Sequence, residues 1–416
     1  MEQFALPHQI RLDSSNLRSE PACSIPRQRS ALRGNPMQGE GLLGSQQTVR
    51  VDQRRQHVRW VVGLSTTLDV KRNLGIILSS RGPEFYLTLT PQTRLATTKM
   101  AEHRHLASCD PQWVDFPKNL PEGTKVYGMN RNRDPITPQP GLDIAEFDVT
   151  VREGAQITLR TYRKSESADA ALPLFVYIHG GGFVTGGLET DDSTCRAFAL
   201  ETGLAVVNVE YRLAPEHKFP VGFENCFDVV RWVASADGQE KLKTDLAKAF
   251  ILGGTSAGAN FTAGISHLAL EEALSPPLTG VVFLAGSFCH PDARPQKYLD
   301  RILSVDEITE APGLTRKSID YFAGQYGAPP ADRRLSPLLF DSHAGIAKKA
   351  YFSVCGLDPR RDEALLFEQL LRDAGLETRS DVYPGLPHGF WTTCPDLPAS
   401  REWLRKLIEG MRWVMQ

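Results

Sequence analysis

Phe250-Ile251-Leu252-Gly253-Gly254-Thr255-Ser256-Ala257-Gly258-Ala259-Asn260 joins a short apolar run to a helical pattern through one serine. The apolar residues at 248–252 predict a buried strand. Beyond the serine, Phe261, Ile265 and Leu268 fall at i, i+4 and i+7, the spacing of one helix face. Between them lies G-x-S-x-G, so the stretch predicts strand, tight turn and helix. Only small neighbours can crowd a serine at so sharp a turn, and Gly254 and Gly258 supply that room. The following helix points its positive end at Ser256 and offers the Ala257 N–H to a developing oxyanion. An ordinary glycine-rich loop can carry the same five residues, so the rest of the chain has to decide.

Upstream of this turn, 146–152 and 156–163 alternate around Glu153-Gly154 and predict a hairpin with every second residue buried. The run 174–178 is a fully buried type of strand, ending at His179-Gly180-Gly181-Gly182-Phe183. A helix at 196–202, a strand at 204–209 and a helix at 221–234 lead up to the serine turn. Beyond it, strands are predicted at 280–284, 350–354 and 378–383. A helix starts near Asp362, and an amphipathic helix at 401–415 closes the chain. Short apolar strands alternating with helices predict an α/β fold, a mostly parallel sheet with helices on both faces. An insert at about 290–341, with helical stretches at 296–305 and 314–326, follows a strand end and predicts a helical cap over the site edge.

Acyl transfer through a serine needs a base, an acid to orient it, and donors for the oxyanion. The turn after 350–354 carries Asp358, and the turn after 378–383 carries His388 between Pro387 and Gly389. His388 is placed to take the Ser256 proton, and Asp358 to hold the imidazole in the right tautomer. Asp362 is the competitor of Asp358 for the acid, but, opening a helix, it is expected to be an N-cap, and Glu363 to favour the helix dipole. Gly181 and Gly182 offer bare backbone N–H groups, with Ala257 as third donor. His179, with Gly180, is expected to support that loop rather than act as a base. The triple glycine lacks both the Lys-Ser/Thr ending and the helix entry of phosphate-binding loops.

Taken together, several motifs resemble the hormone-sensitive-lipase-like family of α/β-hydrolases, a branch of the carboxylesterases. They are His179-Gly180-Gly181-Gly182-Phe183, Tyr211-Arg212-Leu213-Ala214-Pro215-Glu216-His217-Lys218-Phe219-Pro220, the glycines flanking Ser256, Ser336-Pro337-Leu338, Asp358-Pro359-Arg360-Arg361-Asp362-Glu363 and His388-Gly389-Phe390. The resemblance spans roughly residue 85 to the end. It implies the α/β-hydrolase fold, a Ser256–Asp358–His388 triad, a cap to which the amino-terminal helices contribute, and no cofactor. It also implies a small-molecule ester as substrate, with a role in secondary-metabolite biosynthesis as a further expectation. A dehydratase or cyclase using the same groups, or a small-molecule receptor on the same fold, are the alternatives. Thr255 stands where most members have aspartate, and Glu210 where aspartate is more usual. The Tyr211–Pro220 motif itself is assigned no chemistry.

The domain expectation is an extension with little sustained order at 1–82, cap helices and lead-in at 83–145, and a catalytic domain at 146–416. Residues 1–60 hold nine arginines and no lysine. Glu2, Asp13, Glu20 and Pro7 argue against an amphipathic presequence, leaving a cytoplasmic protein as the expectation. Residues 85–118 are expected to form one or two helices. A net charge of −2 gives no reason to expect nucleic acid as partner, and no apolar run is long enough to span a membrane. Seven scattered cysteines without metal-like spacing predict mostly buried free thiols and no metal site. The chain is expected to be a monomer or homodimer.

Overall fold

The computed structural model describes residues 103–115 and 136–416, and the backbone of four short strands nearer the amino terminus. The chain divides into two units, Ser24–His103 and a larger one comprising Met1–Cys23 with Arg104–Gln416. In the smaller unit β1 (Val49–Asp52), β2 (His57–Trp60), β3 (Ile76–Arg81) and β4 (Glu84–Leu89) form an antiparallel sheet in the order β1-β2-β4-β3. Helix was expected over 85–118, and β4 corrects the start of it. Phe85-Tyr86-Leu87-Thr88-Leu89 holds two aromatic residues and the β-branched Thr88, which favour a pleated surface over a helix. Among the described residues, helical turns occur at Arg104–Ala107 and Pro111–Asp115. The rest of the expected amino-terminal extension and cap helices lies outside the described residues.

The larger unit is built on eight strands: β5 (Leu142–Thr150), β6 (Gln156–Lys164), β7 (Leu174–Ile178), β8 (Ala205–Val209), β9 (Phe250–Thr255), β10 (Gly280–Leu284), β11 (Lys349–Leu357) and β12 (Glu377–Pro387). Their order is β12-β11-β10-β9-β7-β8-β6-β5. β7 to β12 pair in parallel, while the β5–β6 hairpin runs antiparallel at one edge. The hairpin starts four residues before 146, because Leu142 already begins the alternation of buried and exposed positions. Along β7, Leu174, Val176 and Ile178 join one core layer and Phe175 and Tyr177 the other. A strand buried on both faces needs a continuous apolar run, which is what the sequence provides there.

The chain leaves β7 for β8 on one side and returns to β9 on the other. The carboxyl ends of β7 and β9 therefore flank a topological switch point, where open α/β sheets bind their ligands. Both the triple glycine and Ser256 fall there.

The hairpin edge is held by charge. Arg160 on β6 is fully buried, donating to Glu146 at 2.7 Å, Glu189 at 2.5 Å and Asp192 at 3.0 Å. Tyr162 donates to the same Asp192 oxygen at 2.6 Å. Arg160→Met would leave these carboxylates facing one another without their shared cation. Urea unfolding is expected to show a loss of about 3 kcal/mol, the lower end for a broken buried ion pair because the acids keep some contact with water. A loss below about 1 kcal/mol would class the cluster with ordinary surface pairs.

Cys195, Cys226, Cys289, Cys355 and Cys394 are free and buried, and Cys109 is disulfide-bonded. Among the described residues no helix is long and apolar enough to cross a membrane.

Candidate active site

β9 runs on through both glycines to Thr255, and the helix Ala257–Glu271 begins immediately after Ser256. Ser256 itself has φ 55° and ψ −110°, a conformation that costs a residue with a side chain on the order of 1–3 kcal/mol. The turn is possible because Gly258 packs against β7: a Cβ there would lie 1.9 Å from the Ile178 carbonyl oxygen. The helix behind it is buried almost all round, so packing holds the strained turn in place.

Two other strand ends meet this serine. His388 Nε2 is 2.8 Å from Ser256 Oγ, and His388 Nδ1 is 2.7 Å from Asp358 Oδ2. An ionised carboxylate only accepts, so Nδ1 carries the proton and Nε2 is left to accept from the serine hydroxyl. Asp358 is 1 % exposed and His388 9 %. Asp358 Oδ1 accepts from the Arg360 backbone N–H at 2.8 Å, which fixes the carboxylate plane. Three residues spread over 132 positions thus form one hydrogen-bonded chain.

The glycine loop lies opposite. Gly181 has φ 127°, and a Cβ there would sit 2.0 Å from the Thr185 carbonyl oxygen, so no other residue fits. Among the described residues the N–H groups of Gly181, Gly182 and Ala257 donate to nothing. Gly182 and Ala257 line the pocket with Ser256, and Gly181 precedes Gly182 in the loop without being part of that lining.

His179 is fully buried and donates from Nδ1 to the Gly180 carbonyl at 2.7 Å. Burial pulls its pKa down to about 4, so it stays neutral. Its ring stacks on Tyr211 with centroids 4.3 Å apart, and Ala214 N–H donates to Phe183. The Tyr211–Pro220 motif therefore buttresses the glycine loop from below. Thr255, one of the two departures, has its hydroxyl 2.6 Å from that of Tyr177. Near them Asp191 is buried, which pushes its carboxyl up to about 6, against the hold of the Tyr177 hydroxyl and the Gly180 N–H.

One expectation for the 358–363 turn needs correction. Asp362 does not cap its own helix, Arg361–Asp373, which starts one residue earlier with Arg360 at the N-cap position. Its carboxylate instead accepts from Leu303 N–H at 2.9 Å and Ser304 N–H at 2.8 Å, reaching across to the insert. Glu363 is in the first helical turn as expected, where it also accepts from Arg360 at 3.1 Å, and burial pushes its pKa up to about 7. The partners of Asp362 lie some sixty residues upstream, so no local pattern could have revealed them, whereas Arg360 is only three residues from Glu363.

The insert does supply a wall. Ile319, Phe322 and Ala323 of the helix Arg316–Tyr326, with Leu314 and Leu335, form the apolar side of a pocket of about 530 Å³ including its open mouth. The continuous helix expected at 296–305 is broken into a short turn at Gln296–Tyr298 and a four-residue helix at Ser304–Glu307. Arg294 binds the Ile302 carbonyl and Asp362 binds the Ser304 N–H, and these tertiary bonds replace helical ones. The described part of the segment ahead of the sheet touches both insert and sheet: Arg104 donates to Glu307, Ala107 and Cys109 pack against Ile308 and Ala311, and Leu106 and Ser108 lie against Gly356 and Gly385 at the ends of β11 and β12.

A family model for the alpha/beta hydrolase fold matches residues 175–392. An AB hydrolase superfamily protein of Schizosaccharomyces pombe is 32 % identical over 74 % of this chain and 94 % of its own length. A versiconal hemiacetal acetate esterase of Dothistroma septosporum is 32 % identical over 69 % of this chain and 86 % of its own. Among solved structures, vibralactone cyclase superposes with a TM-score of 0.67 at 28 % identity, covering 75 % of this chain and 96 % of that one.

Proposed function

Given that this chain belongs to the alpha/beta hydrolase fold family, we propose that it is a serine carboxylesterase working through an acyl-enzyme on Ser256. The single observation that carries this is the Ser256–His388–Asp358 chain of hydrogen bonds at 2.8 and 2.7 Å.

In this mechanism His388 Nε2 takes the proton as Ser256 Oγ attacks the ester carbonyl, and the N–H groups of Gly181, Gly182 and Ala257 stabilise the oxyanion. His388, now cationic beside Asp358, protonates the departing alcohol. Water then attacks the acyl-enzyme by the same route and releases the acid. Neutral His179 and Gly180 hold the loop without entering the proton path. The substrates are esters of small to medium size with an apolar part against Phe183, Ile319 and Phe322. The relative named as a hemiacetal acetate esterase supports a short acyl group and a role in fungal secondary metabolism.

Fluorophosphonate labelling of the folded protein and a p-nitrophenyl ester series of rising acyl length test the proposal together. Labelling at Ser256 and a rate maximum at two to four acyl carbons are expected. An unlabelled protein that turns over none of the series would overturn it.

Similarity to a cyclase favours one second reading. An acyl-enzyme attacked by a hydroxyl of its own acyl group gives a lactone instead of an acid. Product analysis separates the two outcomes, since only hydrolysis incorporates solvent oxygen. A receptor role has less support, because a binding site needs no complete proton relay.

A further inference from the structure

The pocket beside Ser256 is lopsided. Its apolar side comes from Phe183 and the insert, whereas Ser287, His290 and Arg360 face the same space from the ends of β10 and β11. Among its lining residues none is acidic.

Arg360 is the one permanent charge in that wall, and it is held rigidly. Its Nη1 donates to the Cys289 carbonyl oxygen at 3.1 Å and to Glu363 Oε1 at 3.1 Å. Both bonds come from the same nitrogen. Nε and Nη2 donate to nothing among the described residues, and they form the edge of the guanidinium that pairs with a carboxylate two bonds at a time. The side chain is only 11 % exposed, so water screens such a pairing less than it would at the surface.

His290 adds a second donor. Its Nδ1 accepts from the Asp292 N–H at 3.1 Å, so the ring proton of the neutral imidazole is on Nε2. Burial lowers its pKa, which keeps it neutral and its Nε2 a donor. The Ser287 hydroxyl completes a wall able to donate at three positions. A neutral hydrocarbon substrate would leave those donors without partners, at a cost in affinity.

We propose that Arg360 recognises a carboxylate on the substrate, so that this site prefers esters of which one half also bears a free carboxylate. The assignment rests on the esterase reading for the identity of the reacting group, but not for the anion site itself. Two matched pairs test it. Monomethyl glutarate against methyl pentanoate places the charge on the acyl side, and 4-acetoxybutanoate against butyl acetate places it on the alcohol side.

In at least one pair the charged ester is expected to have a kcat/KM at least about tenfold above its neutral partner. Arg360→Gln should lower that ratio by about 10- to 100-fold, as expected for loss of a charge-assisted bidentate contact. Arg360→Lys, retaining a cation without the fork, should keep an intermediate ratio, carried mainly in KM. No preference for the charged member in either pair, or a ratio that Arg360→Gln leaves unchanged, would overturn the proposal.

Calorimetric binding of each pair to Ser256→Ala distinguishes the two layers. Tighter, Arg360-dependent binding of the charged member, without turnover of any ester by the wild type, would leave the anion site standing and remove the esterase. Turnover of neutral esters with no charge preference in binding would do the reverse.

Discussion

Ser256→Ala is expected to lower kcat for p-nitrophenyl acetate by on the order of 10³ or more, with KM changed little. Removing Oγ removes the acyl-enzyme, and with it the pre-steady-state burst of p-nitrophenol. The oxyanion donors and the pocket remain, so a residual rate above that in water is part of the expectation. Stability should rise slightly or hold, because alanine is no worse than serine at φ 55° and the side chain makes one bond, to His388. A variant that keeps both burst and rate would remove Ser256 as the nucleophile.

Asp358→Asn should be nearly as damaging, about 10³- to 10⁴-fold in kcat, for a reason particular to this turn. Asp358 Oδ1 accepts the Arg360 backbone N–H, and Oδ2 faces His388 Nδ1. An asparagine must present its oxygen to the Arg360 N–H, which cannot accept. Its NH₂ group is then turned toward His388, where it stabilises the tautomer with the proton on Nε2. That tautomer donates toward Ser256 and cannot take its proton. NMR of the His388 ring should report the change of tautomer alongside the rate. Asp358→Asn with the proton still on Nδ1, or with activity within tenfold of wild type, would contradict the account.

Much of the sheet was legible because its central strands are buried on both faces. Gly280–Leu284 and Val221–Ala234 match their sequence bounds, since each is a continuous pattern with clear stops. The apolar run predicts a strand ending at Leu252, yet β9 continues through Gly253 and Gly254. Glycine weakens an isolated strand, but here β7 and β10 pair with both sides and tertiary context prevails. Ser256, Asp358 and His388 were readable because each sits in a turn at a strand end, and chain order alone suggests their meeting. Arg360 was not singled out, although it is two residues from Asp358. Nothing local distinguishes an arginine facing a pocket from one facing water, and its partners Cys289 and Glu363 come from two different elements. The sequence pattern predicts a helix from 314, and the helix begins at Arg316. Thr315 and Ser318 cap it reciprocally, a device whose usual signature has Glu or Gln in the second place.

The bond from Asp362 to the insert at Leu303 and Ser304 makes roof and machinery inherit one another's changes. Asp362 is four residues from Asp358, on the helix that continues the same turn. Grafting the 290–341 segment of a relative onto this scaffold would import a new substrate preference only if the donor backbone offers two amides to that carboxylate. Otherwise the transplant would tug on the acid behind His388, and altered selectivity would arrive together with a slower enzyme.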